Sequence, residues 1–209
     1  MKSMYSDAQS AFNLGADLVE LRLDYLHELD IEQVKKQFRK FSDRLIATLR
    51  KKDEGGRFQG KESQRIKLLE KLLAWKGPYK DIELSAVSEN PSLSKNISTI
   101  ISMHNFEGTP SKRVLEEKLS SALKYGSIAK IVTTAQILTD NITVLSLYDK
   151  KVKSRLIAFC MGEQGKISRI LAPKLGSPLM YGCLEGGAVA PGQIPISELR
   201  GFCELLERA

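Results

Sequence analysis

The sequence predicts an α/β fold, a (β/α)8 TIM barrel in a single domain over residues 1–209. Three observations predict it. Short apolar runs alternate with longer amphipathic segments, and such crossovers are what parallel strands need. The runs put charge on one face near their C-terminal ends, whereas strands buried on both faces are almost wholly apolar. No glycine-rich phosphate loop follows an early strand, which disfavours a nucleotide-binding doubly wound sheet.

Residues 1–14 read as a helix. The first strand is DLVELRL (17–23): Val19, Leu21 and Leu23 share one face, Glu20 and Arg22 the other. After a helix near 31–41 comes RLIATLR (44–50), in which Leu45, Ala47 and Leu49 oppose Thr48 and Arg50. A helix at 62–75 leads to YKDIELS (79–85), which sets Asp81 beside Glu83. The stretch AVSENPSLSK (86–95) is too short and broken for more than a turn or two of helix. ISTIISMH (97–104) groups Ser102 with His104, and SIAKIVT (127–133) turns Lys130 away from Ala129 and Ile131. Helices at 111–125, 137–149, 166–174 and 196–207 alternate with the remaining strands, RLIAFCM (155–161) and PLMYGCL (178–184). Seven strands are visible. In a barrel the apolar face meets the helices, the other face lines the lumen, and active sites sit at the C-terminal mouth. His104 therefore ends a strand in a polar mouth.

The 209 residues suit one larger domain, and 42% apolar with 27% charged residues supports an ordinary globular core. No run approaches a membrane span, and the N-terminus lacks a signal-peptide stretch, so the expectation is a cytoplasmic protein with no membrane partner. Cys160, Cys183 and Cys203 have no CxxC spacing and read as small core residues. The net charge of +7 is spread along the chain, and its densest clusters are short or carry acids. A solvated surface explains it, and no nucleic-acid motif is present.

Lys130 is the most informative side chain. Lysines are rarely buried, a desolvated ammonium loses its proton more easily, and a neutral amine can attack a carbonyl to form a Schiff base. The plain alternative is an edge-strand lysine in solvent. His104 suits general acid/base work near neutral pH, or is a satisfied strand-end polar residue. It lies 26 residues before Lys130, about one βα repeat, which places the two on adjacent strands. In RKKDEGG (50–56), Arg50 could clamp a carboxylate and Glu54 could orient an imidazole; a charged surface loop is the other reading. Arg169 follows a strand, within a short helix, and either pairs a carboxylate or lies on the helix surface. GGAVAPGQIP (186–195) could be a lid with Gln193 as hydrogen-bonder, or a connector. His27 reads as a surface residue.

In order, ADLVELRLD, TLRKKDEGG, SMHNFEGTP, AKIV, MGEQGKISRILAPKLGSPLMYG and APGQI occur along nearly the whole chain. This set resembles the type I 3-dehydroquinate dehydratases. The resemblance implies a (β/α)8 barrel, a homodimer, and no metal or external cofactor, the electron sink being a covalent imine with Lys130. It implies a small anionic substrate, 3-dehydroquinate, whose C3 ketone forms the imine. His104 would remove the C2 proton and help expel the C1 hydroxyl, and Glu54 would hydrogen-bond the histidine. Arg22, Arg50 and Arg169 would hold substrate, with Glu20 and Gln193 as further contacts. The route would be the shikimate pathway of aromatic amino-acid biosynthesis.

Two departures stand out. Val189 occupies a lid position that is serine in many family members. The family also begins with a strand before its first helix, and this chain begins at what should be that helix. The expectation is a barrel lacking its first strand, with 18–23 and 178–184 flanking the gap. Two other functions fit the residues: a class I aldolase with a strand lysine, and a barrel that binds quinate-like ligands without turnover.

Overall fold

The structure, a computed structural model, describes residues 1–94, 98–149, 151, 152 and 154–207. Residues 95 and 97, at the ends of the expected segments 86–95 and 97–104, lie outside the described residues. Six strands form one sheet in chain order: β1 (Val19–Arg22), β2 (Leu45–Thr48), β3 (Tyr79–Glu83), β4 (Thr99–His104), β5 (Ile128–Thr134) and β6 (Leu156–Met161). The pairs β1/β2, β2/β3 and β5/β6 are parallel.

The helices are α1 (Lys2–Asn13), α2 (Ile31–Gln37), α3 (Glu62–Leu73), α4 (Leu84–Glu89), α5 (Lys112–Tyr125), α6 (Thr139–Leu145), α7 (Lys166–Leu175) and α8 (Ile196–Glu207). They fall where the amphipathic segments predict them. The broken stretch after β3 is one short helix followed by a 3-10 turn at Pro91–Ser94. No helix among the described residues is long and apolar enough to cross a membrane.

The expected seventh strand at 178–184 does not form. Its sole ladder contact among the described residues is an isolated bridge from Cys183 to Pro195. The apolar run is real, but Pro178 lacks an N–H to give to a ladder. At Gly182 a Cβ would come within 2.7 Å of the Leu199 side chain, so this backbone packs against α8. The end strands of the sheet are therefore β1 and β6, not β1 and 178–184. The cysteine expectation holds for buried Cys160, whereas Cys183 and Cys203 are only partly buried.

The chain contacts gather into two compact units, Met1–Ile101 with Tyr125–Ser127, and Ser102–Lys124 with Ile128–Ala209. In the first unit, α1 packs through Tyr5 and Phe12 onto Phe38 and Phe41. Arg44 lies over the Phe12 ring and donates to the Ala16 and Asp17 carbonyls, which fixes the entry to β1. All four residues of β2 are buried. In the second unit, every residue of β6 is buried and α6 and α7 cover it.

Candidate active site

Strand alternation gives the first unit a polar face. The register sets Glu20 beside Ile46, Arg22 beside Thr48, and Thr48 beside Asp81. Thr48 Oγ1 donates to Glu20 Oε1 at 2.6 Å. Arg22 makes a two-pronged pair with Asp24 at 2.9 and 2.8 Å. Burial alone would lower the Arg22 guanidinium, but Asp24 outweighs it and leaves the group above its ordinary value.

Arg50, just beyond the end of β2, is 3% exposed. Its Nη2 donates to Asp81 Oδ1 at 2.6 Å, and its Nη1 lies 3.6 Å from Glu83 Oε1. Burial opposes the charge here too, and Asp81 and then Glu83 overcome it, so this guanidinium is held above its ordinary value. The carboxylates that Arg50 meets in the structure are the protein's own.

The segment after Arg50 is bracketed by buried acids. Asp24 accepts the Arg57 N–H at 2.9 Å, and Glu83 accepts the Lys51 N–H at 2.8 Å. The bend is tight. A Cβ on Gly56 would fall 2.0 Å from the Arg50 carbonyl oxygen, so only glycine fits. Glu54 closes a 3-10 turn in this loop, accepts from Ser85 Oγ at 3.3 Å and lies 3.8 Å from Lys51 Nζ. Lys80 is also buried on this sheet, but its register beside Ala47 puts it on the face opposite Thr48 and Asp81.

The second unit holds His104 and Lys130. The Asn105 N–H donates to the Val132 carbonyl at 2.8 Å, which sets His104 beside Val132, two residues beyond Lys130 on the same face. Asn105 then ends the strand: its Oδ1 accepts the N–H groups of Glu107 and Gly108. The His104 ring is half-buried and stacks with Phe106 at 6.5 Å. Lys130 is 4% exposed, and its Nζ lies 4.2 Å from the centre of the Tyr181 ring. Tyr181 in turn packs on Phe159, whose strand position lies on the Lys130 side of β5/β6.

Arg169 comes from the buried side of α7, not its surface. Its guanidinium lies 4.2 Å from the centre of the Phe159 ring, and Nη2 donates to the Pro191 carbonyl at 3.3 Å. No carboxylate pairs with it among the described residues, and its Nε has no hydrogen-bond partner. Burial pushes this guanidinium down to about 10. The Gly/Pro-rich loop meets β6 here: the Gly162 N–H donates to the Pro191 carbonyl. Gly192 has φ +73° and sits where a Cβ would be 2.4 Å from the Gly162 carbonyl. Gln193 folds onto its own loop, its Oε1 accepting the N–H groups of Val189 and Ala190. Val189 itself is exposed, as is His27.

The structure thus gathers Glu20, Arg22, Arg50 and Glu54 in one unit, and His104, Lys130, Arg169 and Gln193 in the other. Sequence reasoning passed over Asp24, Arg65, Phe159 and Tyr181. The alternation did set Asp81 beside Glu83 on the face that receives Arg50, and that was the available signal.

A family model described as type I 3-dehydroquinase matches residues 1–209. The chain is 35% identical over 208 residues to the 3-dehydroquinate dehydratase of Methanopyrus kandleri, covering 99% of this chain and 95% of that one. It is 38% identical over 197 residues to the protein of the same name from Pyrococcus abyssi, covering 92% and 88%. Among solved structures, the 3-dehydroquinate dehydratase of Aquifex aeolicus superposes with a TM-score of 0.82 at 33% identity, over 97% of this chain and 93% of that one. The Geobacillus kaustophilus enzyme gives 0.85 at 24% identity, over 98% and 86%, a likeness of fold. The fold is α/β and TIM-barrel-like.

Proposed function

The chain belongs to the type I 3-dehydroquinase family, a family of hydro-lyases, and we propose that it dehydrates 3-dehydroquinate to 3-dehydroshikimate through an imine on Lys130. The observation that carries this reading is the pairing of a buried strand lysine with a histidine two residues higher on the same face of the neighbouring strand. The Lys130 amine attacks the C3 carbonyl carbon, and the carbinolamine loses water to give an iminium. His104 takes the C2 proton, and the C–H electron pair moves into the iminium to form an enamine. The enamine pushes out the C1 hydroxyl, which takes the proton from His104 and leaves as water. Hydrolysis of the remaining imine frees the product and Lys130. The electron sink is the imine itself, so no metal or external cofactor enters.

Arg169 is assigned the substrate carboxylate, because it is a buried cation with no acid to neutralise it among the described residues and with a donor to spare. Arg22 and Arg50 are already matched by Asp24, Asp81 and Glu83, so they serve as oriented donors to hydroxyls, with Glu20 as an acceptor. Glu54 is assigned to hold the imidazole, and Gln193 to close over the substrate. Fixing these groups on strands and short helices removes orientational entropy from the reaction. A single barrel domain, a homodimer, a cytoplasmic location and the shikimate pathway belong to the same reading.

Borohydride trapping tests it. The protein is incubated with 3-dehydroquinate and borohydride, and its peptides are mapped by mass. The expected adduct lies on the peptide bearing Lys130 and is absent from a folded Lys130→Met variant. Folded protein with neither adduct nor turnover would favour ligand binding without chemistry. Cleavage of a sugar phosphate would favour an aldolase.

A further inference from the structure

Arg65 belongs to none of the groups assigned above, yet it is among the most deeply buried side chains described, at 0% exposure on α3. A helix arginine ordinarily carries its charge to water. Here the whole guanidinium is enclosed by acceptors. Glu62 takes Nε and Nη2 at 2.8 and 2.7 Å. Nη1 reaches inward to the Leu49 carbonyl at 3.0 Å and to Glu83 Oε2 at 2.7 Å. Burial opposes the charge, and Glu62 and Glu83 outweigh it, so the group is held above its ordinary value.

The second oxygen of Glu83 connects this arginine to the face described above. Oε1 accepts the Lys51 N–H at 2.8 Å and lies 3.6 Å from Arg50 Nη1. Arg65 therefore grips the peptide before Arg50 directly, and the peptide after it through one buried carboxylate. With no exposed surface it cannot touch a substrate. We infer that Arg65 is a positioning residue for the dehydration: through Glu83 it fixes the Arg50 guanidinium and the start of the loop that carries Glu54. This rests on the function proposed above. Lysine cannot replace it, because one ammonium cannot reproduce the planar fork that serves three acceptor groups at once.

The test is Arg65→Lys in the full chain, read in two ways. Steady-state kinetics with 3-dehydroquinate, well below the melting midpoint, should show KM raised about tenfold, the effect of one weakened charge-assisted bond, with kcat much less affected. Hydrogen exchange should show the amides of residues 50–54 opening faster, while those of β5 and β6 are unchanged. Adding Arg50→Lys to this variant should cost less than Arg50→Lys costs alone, since both act on one group. Unaltered KM, full additivity, or unaltered exchange at 50–54 would overturn the inference. Wild-type protein without turnover would instead sink the proposed function, and the exchange data would then decide the positioning link by themselves. If Arg65→Lys does not fold, Glu83→Gln receives the same measurements with the same expected results.

Discussion

Arg50 and Arg169 are almost equally buried, at 3% and 4% exposure, and they are kept in opposite ways. Arg50 sits among protein carboxylates, so its charge is cancelled from within. Arg169 lies between an aromatic face and a carbonyl oxygen, with no acid against it among the described residues. A buried cation without a counterion is costly to keep. The difference teaches that charge in these two regions serves two ends. In the first it fixes geometry, and in the second, under the function proposed above, it would be held in reserve for an anion from outside.

Stability separates the two most widely. Arg50→Met would remove the guanidinium that lies 2.6 Å from buried Asp81, while Glu83 keeps Arg65, and is expected to cost about 3–5 kcal/mol. Arg169→Met removes an uncompensated cation and is expected to leave stability unchanged or raised. Denaturant unfolding of the two variants side by side measures this, and equal losses would break the contrast.

Kinetics and pH give the next effect. Arg169→Met should lower kcat/KM for 3-dehydroquinate by roughly 10- to 100-fold, mainly through KM, as expected for one lost hydrogen-bonded charge. Burial pushes the folded Arg169 guanidinium down to about 10, below its ordinary value. Between those values the unfolded chain holds a proton that the folded chain has lost, so this group makes stability rise with pH there. Below about 10 its full burial cost remains. A bound carboxylate favours the charged form, so binding near pH 10 should take up a proton. Calorimetry in buffers of different ionisation enthalpy would detect that uptake, and Arg169→Met should abolish it. The smallest effect belongs to Phe159→Leu, which removes the ring under the guanidinium. A change of about 0.5–1 kcal/mol, or a few-fold in KM, is expected. No change would show that the carbonyl of Pro191 alone holds Arg169.

Most of the architecture was legible because a strand has a period of two. That period alone put Glu20 with Arg22, Asp81 with Glu83, and Lys130 opposite Ala129. The seventh strand was misjudged because PLMYGCL is apolar enough for a strand, while the packing of Gly182 against α8 is a tertiary fact. Arg65 was hidden for a related reason. In ESQRIKLLEKLL an arginine three residues after a glutamate reads as a surface ion pair; the pair does form, at 2.7 Å, but its arginine is buried. Only the approach of Glu83 from β3 shows that the same side chain is buried. Which carboxylates Arg50 meets depended on the register of β2 against β3.

The sheet order β1 to β6 is the order of the chain itself. Val19 pairs with Leu45 and Ala129 with Leu156, at separations of 26 and 27 residues. No strand among those described must wait for a distant segment before it finds a neighbour. Each parallel pairing still has to close a crossover before it is rewarded, but that crossover is the one just made, and domains assemble from the N-terminus as they are synthesised. On a ribosome each new strand would meet its predecessor already in place, so the direction of translation and the direction of assembly coincide.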